Sequence, residues 1–254
     1  MPDLVSRGKF ESRLADELVV VFAKYQLEIQ GLLSSFDTTL GDLKKLPKSL
    51  YDALQADLTQ ILEQVLIEAY IEAFTSMDGF LADNSQTTAR RGALFIINDA
   101  EQWASFYAPK LAGQIADVTK TKLREIADRS PLLPISGLGI RNVVRPFLGL
   151  SRAQLVARTE VTNAISVAEG RAVSTSSQDI IATMFWFTRD DERVCIICEP
   201  RHKKPRGTNW EMPPPAHPRC RCFPFWKIEY SDGRIVWSRT LVEVELGNAQ
   251  ILEL

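Results

Sequence analysis

Residues 195–222 read CIICEPRHKKPRGTNWEMPPPAHPRCRC, and this stretch contains all four cysteines and both histidines of the 254-residue chain. A Cys-x-x-Cys turn directs two thiolates to one side, and a second Cys/His group can complete the tetrahedron that structural zinc prefers. The ligand candidates are Cys195, Cys198, His217, Cys220 and Cys222. The spacing predicts one structural Zn²⁺ ion, with either Cys220 or Cys222 as the fourth ligand and His202 as a less favoured substitute.

Two other uses of the cysteines compete with zinc. Two disulfides would account for an even number of cysteines, but a cytoplasmic chain keeps its thiols reduced, and disulfides leave the histidines unexplained. A redox Cys-x-x-Cys usually begins a helix in a thioredoxin-like fold, whereas this one follows a predicted strand and precedes a basic, proline-rich loop. Both alternatives are therefore weaker than zinc.

The loop between the two ligand groups needs an additional constraint. Residues 199–218 include six prolines, one glycine and few apolar side chains. Burial of so little apolar surface cannot offset the conformational entropy lost when the loop is ordered, whereas a bound metal ion can. We therefore predict that the metal closes this loop.

The chain before the cluster has the pattern of a helical protein. Apolar residues recur at steps of three and four from Leu14 to Phe36 and again from Leu50 to Ala69, which is the period of one helical face. A third helix is predicted from about Thr88 to Tyr107, where Pro109 would end it because proline has no amide hydrogen. The stripe from Leu111 to Ile126 predicts a fourth helix.

Loops and turns separate these helices. Gly79 to Gln86 is predicted to be a loop, and Pro131 to Gly149, with three prolines and three glycines, is the predicted linker or hinge. Ser151 and Gln154 have the spacing of a capping box. This spacing predicts a fifth helix from Arg152 to about Val173.

The C-terminal residues have the composition of strands. β-Branched and aromatic side chains dominate Ile180–Thr188, Phe223–Tyr230 and Arg234–Val244, and Ser231-Asp-Gly233 predicts a hairpin turn between the last two. The predicted fold is α+β, with a mostly helical N-terminal and central region and a small C-terminal antiparallel β-module stapled by zinc. The predicted parts are a helical arm or domain at 1–107, a helical part at 108–173 and a β-rich zinc-binding module at 174–254.

Composition excludes several classes of protein. Hydrophobic residues make up 45% and charged residues 24% of the chain, which is typical of globular proteins and not of disordered or fibrous ones. The net charge is −2, but residues 1–130 carry −5 and residues 131–254 carry +3. Apolar runs reach only about six residues, so no membrane span is predicted. The N-terminus does not resemble a secretory signal, so we expect a cytoplasmic protein with no membrane partner.

Basic side chains are concentrated in residues 195–222, which we call the metal window. The candidates for nucleic-acid binding are Arg201, Lys203, Lys204, Arg206, Arg219 and Arg221. Trp210, Phe223, Phe225 and Trp226 lie between or beside them, and this combination suits a phosphate backbone and stacked bases. Double-stranded DNA is therefore a predicted partner, and a solvated loop over a small aromatic core is the alternative.

Several of these residues occur in an order known from a protein family. The pattern runs from the helix containing Arg158-Thr-Glu160 to the Cys195–Cys198 pair, and it ends at His217-Pro-Arg-Cys-Arg-Cys222. The motif residues outside the metal cluster are Arg158, Glu160, Asn163, Asp191 and Arg193. This order resembles the phage head-morphogenesis family of minor head proteins (Mu F-like) over roughly residues 111–224.

The resemblance implies a non-enzymatic protein of a tailed phage or prophage. Such a protein is made in the bacterial cytoplasm, is built into the procapsid near the portal, and acts in DNA packaging or delivery. Its partners would be the portal protein and capsid components, and its final location would be the virion, at the capsid interior or portal region. Residues 1–107 carry no part of this motif.

The charges of the helical motif are predicted to act separately. Arg158 and Glu160 are two positions apart, so on a helix they point about 200° away from one another. We expect each to contact a different neighbour, and for Glu160 this is Arg193 or Arg221. The alternative is a pair of exposed helix charges.

A zinc-dependent nuclease or a DNA-binding zinc module is the alternative function. Catalytic zinc keeps an open ligand position, whereas this window holds more soft ligands than a tetrahedron needs. The chain has no His-Glu-x-x-His, Gly-x-Ser-x-Gly or glycine-rich phosphate loop, and only His202 could serve as a spare base. A transcriptional zinc module would need a recognition helix where strands are predicted instead. We therefore expect no catalytic residues.

Overall fold

Helices occupy most of the described residues before position 175, and a small sheet follows them. The computed structural model describes residues 4–34, 38–84, 90–176, 180–188 and 194–238. The helices are α1 (Leu4–Leu32), α2 (Lys48–Asp83), α3 (Ala93–Arg129), α4 (Gly137–Val144) and α5 (Leu150–Ser174), with short 3₁₀ helices at Leu40–Lys45 and Glu199–Arg201. The strands are β1 (Ile180–Phe187), β2 (Lys204–Pro205), β3 (Phe223–Tyr230) and β4 (Ile235–Trp237), in one antiparallel sheet of order β2-β1-β3-β4. The predicted α+β fold, with its helical N-terminal and central region, is confirmed.

The chain divides into two units with separate cores. The helical unit comprises Gly8–Ile67 and Glu101–Ala157, and the sheet unit comprises Met1–Arg7, Glu68–Ala100 and Arg158–Leu254. The boundaries fall inside α1, α2, α3 and α5, so each of these helices contributes residues to both units. The three-part division at residues 107 and 173 stays a prediction.

The core of the helical unit contains many residues of the apolar stripes expected from the sequence, although Leu32 and Val118 of those stripes are exposed. Its buried side chains include Leu14, Leu18, Phe22, Leu54, Leu58, Ala104, Ala108 and Ala112. Beside this core, the carboxylate of Asp57 accepts hydrogen bonds from Lys24 Nζ at 2.7 Å and from the Tyr25 hydroxyl at 3.0 Å, which link α1 to α2. None of the helices in the described ranges is long and apolar enough to cross a bilayer.

The prediction that Pro109 ends a helix is wrong. α3 continues through Pro109 to Arg129, so the predicted third and fourth helices are one element that begins at Ala93. Proline leaves the carbonyl of residue 105 without its helical partner, but Ser105 is exposed and water can bond to it. Burial of Ala104, Ala108 and Ala112 on one face outweighs the loss of that hydrogen bond.

Three further boundaries differ from the predictions. The expected loop at 79–86 is helical as far as Asp83, because Met77 and Leu81 are buried on the same face of α2. The predicted linker at 131–149 contains α4. α5 begins at Leu150, where the Gly149 carbonyl accepts from the amides of residues 152 and 153, so Ser151 lies inside the first turn and does not cap it.

A glycine permits close backbone contact within the helical unit. The Gly41 amide donates to the Pro131 carbonyl at 3.0 Å, and the Leu40 amide donates to the Leu133 carbonyl at 3.0 Å. A Cβ atom added at Gly41 would lie 2.7 Å from the Pro131 oxygen. Position 41 therefore requires a residue without a side chain.

In the sheet unit, α5 packs on one face of the sheet. An added Cβ at Gly170 would lie 3.9 Å from Trp226 and 4.0 Å from Met184, which are register partners on β3 and β1. The Trp226 indole N–H donates to the buried carboxylate of Glu169 at 3.3 Å. The opposite face carries an aromatic cluster of Phe185, Phe187, Phe223, Phe225 and Trp237.

The strand predictions hold, with one addition. β1 and β3 match the expected segments, and Gly233 at the predicted hairpin turn has a φ of +83°. β4 covers Ile235–Trp237 of the third predicted strand, and residues 239–244 of that prediction lie outside the described residues. The two-residue strand β2, inside the metal window, pairs with the edge of β1 at Trp186 and Phe185.

Candidate metal centre

The first ligand pair lies in a tight turn after β1. The Cys195 carbonyl accepts from the amides of Cys198 and Glu199, both at 3.0 Å, so the chain reverses between the two cysteines. The 3₁₀ helix Glu199–Arg201 follows, and then the Lys203 amide donates to the Trp186 carbonyl at 2.8 Å. The Cys-x-x-Cys turn is therefore anchored on one side by the edge of the sheet.

The second ligand group lies in another turn, immediately before β3. The Cys220 amide donates to the His217 carbonyl at 3.1 Å, and Arg219 between them has a φ of 67°. The Arg219 amide donates to the Thr159 hydroxyl of α5 at 3.2 Å. β3 begins at Phe223, directly after Cys222. This turn is therefore held by both α5 and the sheet.

Sulfur and imidazole atoms from the two turns meet. The Cys195 sulfur lies 3.0 Å and the Cys198 sulfur 3.2 Å from His217 Nε2, and the sulfurs of Cys198 and Cys220 are 3.8 Å apart. Two sets of atoms lie close enough to hold a metal ion: one is Cys195, Cys198 and His217, and the other is Cys198, Cys220 and Cys222. The structure thus brings all five predicted ligands together, with Cys198 common to both sets. The cluster could hold a metal ion.

Disulfides do not explain this arrangement. All four cysteines are free thiols. The separation of 3.8 Å between the Cys198 and Cys220 sulfurs far exceeds a disulfide bond of about 2.05 Å.

The orientation of His217 suits a metal ligand. Its Nδ1 lies 2.8 Å from the Pro218 carbonyl oxygen, which can only accept a hydrogen bond, so Nδ1 carries the proton. The lone pair is then on Nε2, which faces the sulfurs of Cys195 and Cys198. Metal-bound histidines commonly donate their second ring N–H to a carbonyl in this way.

The environment of the sulfurs favours a thiolate at Cys220. Hydrogen bonds from Cys198 and Cys222 lower the pKa of Cys220 to about 2. Hydrogen bonds with Cys220 and Cys222, together with burial, raise the pKa of Cys198. At Cys195 burial opposes ionisation, but hydrogen bonds from the amides of Cys198 and Ile197 outweigh it and lower the pKa. A divalent cation among these sulfurs would favour the thiolate form of all of them.

His202, the less favoured ligand, has a different position. Its Nδ1 accepts a hydrogen bond from the Thr188 amide at 3.1 Å, and its ring lies edge-on to Phe187 at 5.2 Å between centroids. Neither potential ligand set among the described residues includes it. His202 therefore joins the end of β1 to the loop after Cys198.

The charged motif residues lie on different sides of α5. Arg158 is exposed, Asn163 is half-buried and Glu160 is buried, so the alternative of two exposed helix charges does not hold for Glu160. Its contact with Arg221 stays a prediction. Asp191 and Arg193, including the second predicted partner of Glu160, lie outside the described residues.

Two residues that position the site were not predicted from the sequence. Thr159 joins α5 to the second ligand turn, but nothing in its neighbourhood distinguished it from other helical threonines. Glu169 is completely buried against Trp226. It lies four residues after Ile165 and eight after Val161, so the apolar stripe of the helix could have revealed it.

The basic candidates lie close to the metal-ligand candidates in sequence, and most of them are exposed. Lys203, Lys204, Arg206 and Arg219 are exposed, and Arg201 and Arg221 are half-buried. The Arg201 guanidinium lies 5.0 Å from the centroid of the Trp186 ring. The four aromatic residues interleaved with them in sequence, Trp210, Phe223, Phe225 and Trp226, are all buried. The expected platform for stacked bases is therefore absent at these positions.

Comparison with family models, with characterised proteins and with solved structures found no match.

Proposed function

We propose that residues 195–222 form a structural zinc site that orders the loop of the sheet unit. The convergence of free thiols and one correctly oriented imidazole from two turns carries this proposal. In a tetrahedral zinc site with Zn–S bonds of about 2.3 Å, two sulfurs lie about 3.8 Å apart. The Cys198 and Cys220 sulfurs have this separation. Thiolate and imidazole ligands favour zinc over Mg²⁺ or Ca²⁺, which prefer oxygen.

A structural role suits this site better than a catalytic one. Five soft ligand candidates lie in two overlapping sets that share Cys198, which is more than the four that a closed structural site needs, whereas catalytic zinc keeps one position for water. His202, the residue that could act as a general base, uses Nδ1 to accept the Thr188 amide. We therefore propose a non-enzymatic protein. Cleavage of plasmid DNA with Mg²⁺ or Mn²⁺, lost in His202→Ala, would contradict this.

We further propose that the chain acts as a phage minor head protein, in procapsid assembly near the portal. The sequence resemblance supports this proposal, and so does one contact. The Arg158-Thr-Glu160 motif and the His217-to-Cys222 motif are distant in sequence, yet Thr159 and Arg219 are joined by a hydrogen bond of 3.2 Å. The portal protein and capsid components are the proposed partners, and the virion is the proposed final location.

Elemental analysis of the purified chain tests the metal site directly. We expect one zinc per chain, and removal of zinc by a strong chelator should unfold the sheet unit, seen as loss of the near-UV circular dichroism of its tryptophans. A chain that contains no metal and keeps this signal would refute the structural zinc site. Co-expression with the portal protein of the same genome, followed by copurification, tests the assembly role separately.

A further inference from the structure

The loop between Cys198 and Cys222, which we call the metal loop, carries positive charge that ion pairs within the described residues do not neutralise. Between Cys198 and Cys222 six basic residues accompany only two acidic ones, on a chain whose net charge is −2. Five of the cations make no ion pair within the described ranges: Arg201, Lys203, Lys204, Arg206 and Arg219. By contrast, Lys227 and Arg234 elsewhere in the sheet unit pair with Glu229 and Asp232. We call Arg201, Lys203, Lys204, Arg206 and Arg219 the basic rim.

The metal centre brings the two parts of the basic rim together. Arg201 to Arg206 follow Cys198 directly, and Arg219 immediately precedes Cys220, whose sulfur lies 3.8 Å from that of Cys198. Backbone hydrogen bonds fix both parts, because Lys203 N–H donates to Trp186 and Arg219 N–H donates to Thr159. The backbone positions that carry these cations are therefore held before any ligand binds.

Two rim residues occupy a conformation that side chains rarely adopt. The non-glycine residues with positive φ in the described chain are Lys203, at 59°, and Arg219, at 67°. Glycine would adopt this conformation without strain, whereas a residue with a Cβ destabilises the fold by about 1 kcal/mol or more. Both positions nevertheless hold exposed cations, which indicates that the charge has a use other than stability.

The chemistry of the rim favours one class of ligand. Single-stranded nucleic acid is normally held by bases stacked on exposed aromatic rings. Trp210, Phe223, Phe225 and Trp226 are buried, and Trp210 packs edge-on against Trp186 at 5.3 Å between centroids. Phe185, the register partner of Pro205, is half-buried. Exposed cations with no exposed aromatic platform suit the phosphate oxygens of a duplex, and such contacts carry no sequence information.

We propose that the basic rim binds the phosphate backbone of double-stranded DNA without sequence preference. This inference rests on the proposed function, because the metal holds the two parts of the rim together. Contact with five phosphates gives a slope of log affinity against log salt of about −4 to −5. Between about 50 and 200 mM salt the affinity should therefore fall about 500-fold.

Fluorescence anisotropy with a duplex of about 20 base pairs and arbitrary sequence tests the rim. The variant Lys203→Gln/Lys204→Gln/Arg206→Gln should make the salt slope shallower by about 2 to 3. The matched control is Arg124→Gln/Arg129→Gln/Arg141→Gln, which removes the same charge from exposed positions of the helical unit and should leave the slope unchanged. Equal slopes for both variants and the original chain would overturn the inference.

A second variant separates binding from stability. Lys203→Gly/Arg219→Gly retains both backbone N–H donors and relieves the strained conformations, so it should melt at the same or a higher temperature. Its salt slope should nevertheless become shallower by about 2. Unchanged binding would overturn the inference, as would binding to the single strand or to anionic lipid vesicles as tight as binding to the duplex. Zinc is measured in every variant, so that loss of the metal site is distinguished from loss of DNA binding.

Discussion

The helical unit and the metal loop are ordered by different interactions. In the helical unit, side chains such as Leu18, Phe22 and Leu58 are completely buried, and the hydrophobic effect supplies the stabilisation. Between Cys198 and His217 the loop buries few apolar side chains, chiefly Trp210. Backbone hydrogen bonds join it to β1, and under the proposed function a metal bound by the ligand cluster supplies the rest of its order. The helical unit should therefore tolerate exchange of one apolar side chain for another of similar shape, whereas the metal loop depends on the identity of a few ligand atoms.

The largest effect is expected at Cys198, which belongs to both potential ligand sets. Cys198→Ser should abolish zinc binding and unfold the metal loop, because structural zinc contributes about 10–16 kcal/mol of apparent binding free energy. Near-UV circular dichroism should lose the signal of the sheet unit's tryptophans, while most of the far-UV helical signal persists. Simultaneous loss of both signals would show that the two regions are not energetically distinct.

The same measurement identifies the fourth ligand. Cys220→Ser and Cys222→Ser remove neighbouring buried thiols of equal size. One variant should lose zinc and the other should retain one equivalent by elemental analysis. Loss of zinc in both would mean that the cluster uses ligands differently from a single tetrahedral site.

The next largest effect is expected in the helical core. Leu58 is completely buried, so Leu58→Ala should reduce the free energy of unfolding by about 2–5 kcal/mol without changing zinc content. Leu27 is 66% exposed, and Leu27→Ala should change stability by less than about 0.5 kcal/mol. Denaturant titration checks both, and zinc loss in Leu58→Ala would argue against separate sources of stability.

A smaller effect tests backbone packing in the helical unit. Gly41→Ala places a Cβ 2.7 Å from the Pro131 carbonyl oxygen and should destabilise the unit by about 1–3 kcal/mol. Gly31, in α1, has no atom near the position of an added Cβ. Gly31→Ala should therefore stabilise the chain by up to about 1 kcal/mol, because alanine has the higher helix propensity. Thermal melts that rank the two variants in the opposite order would contradict this packing.

The smallest effect is expected from the polar link between α1 and α2. The hydrogen bond from Lys24 lowers the pKa of Asp57 below its usual value of 3.8. The carboxylate therefore contributes stability that is present above about pH 4 and is lost as the pH falls through the lowered pKa. Because the pair is partly exposed, the contribution is below about 1 kcal/mol. Melting temperature should fall less between pH 5 and pH 2, about the range of this titration, in Asp57→Asn than in the original chain.

The helical unit and the metal loop also differ in how much of each could be predicted from the sequence. Helices were predictable where apolar residues recur over many turns, as from Leu14 to Ile29, since one face must be buried. Pro109 and Gly79 misled because each is a local penalty that the packing of long helices outweighs. A proline or glycine therefore predicts the end of a helix only where burial of the neighbouring apolar residues does not favour its continuation.

The ligand residues of the candidate site could be predicted from the sequence, but the contacts that hold them in place could not. Cysteine and histidine spacing predicted all five clustered ligands, because metal chemistry restricts which residues can serve. The two-residue strand β2 and the position of His202 depend on pairing with β1, which no local pattern encodes. Burial of the aromatic residues was expected only in the alternative of a small aromatic core, and Phe223 to Trp226 are all buried in β3.

The strand order has a consequence for synthesis on the ribosome. β1 lies in the interior of the sheet, but its partner β3 is translated about 35 residues later, after the second ligand turn. At ~5–20 residues per second, the nascent chain carries β1 for roughly two to seven seconds before its long partner exists. During that interval Phe187, which packs against Phe223 and Phe225 of β3, has no partner to cover it. Chaperone capture of the nascent chain should therefore be strongest in this interval and end once β3 emerges.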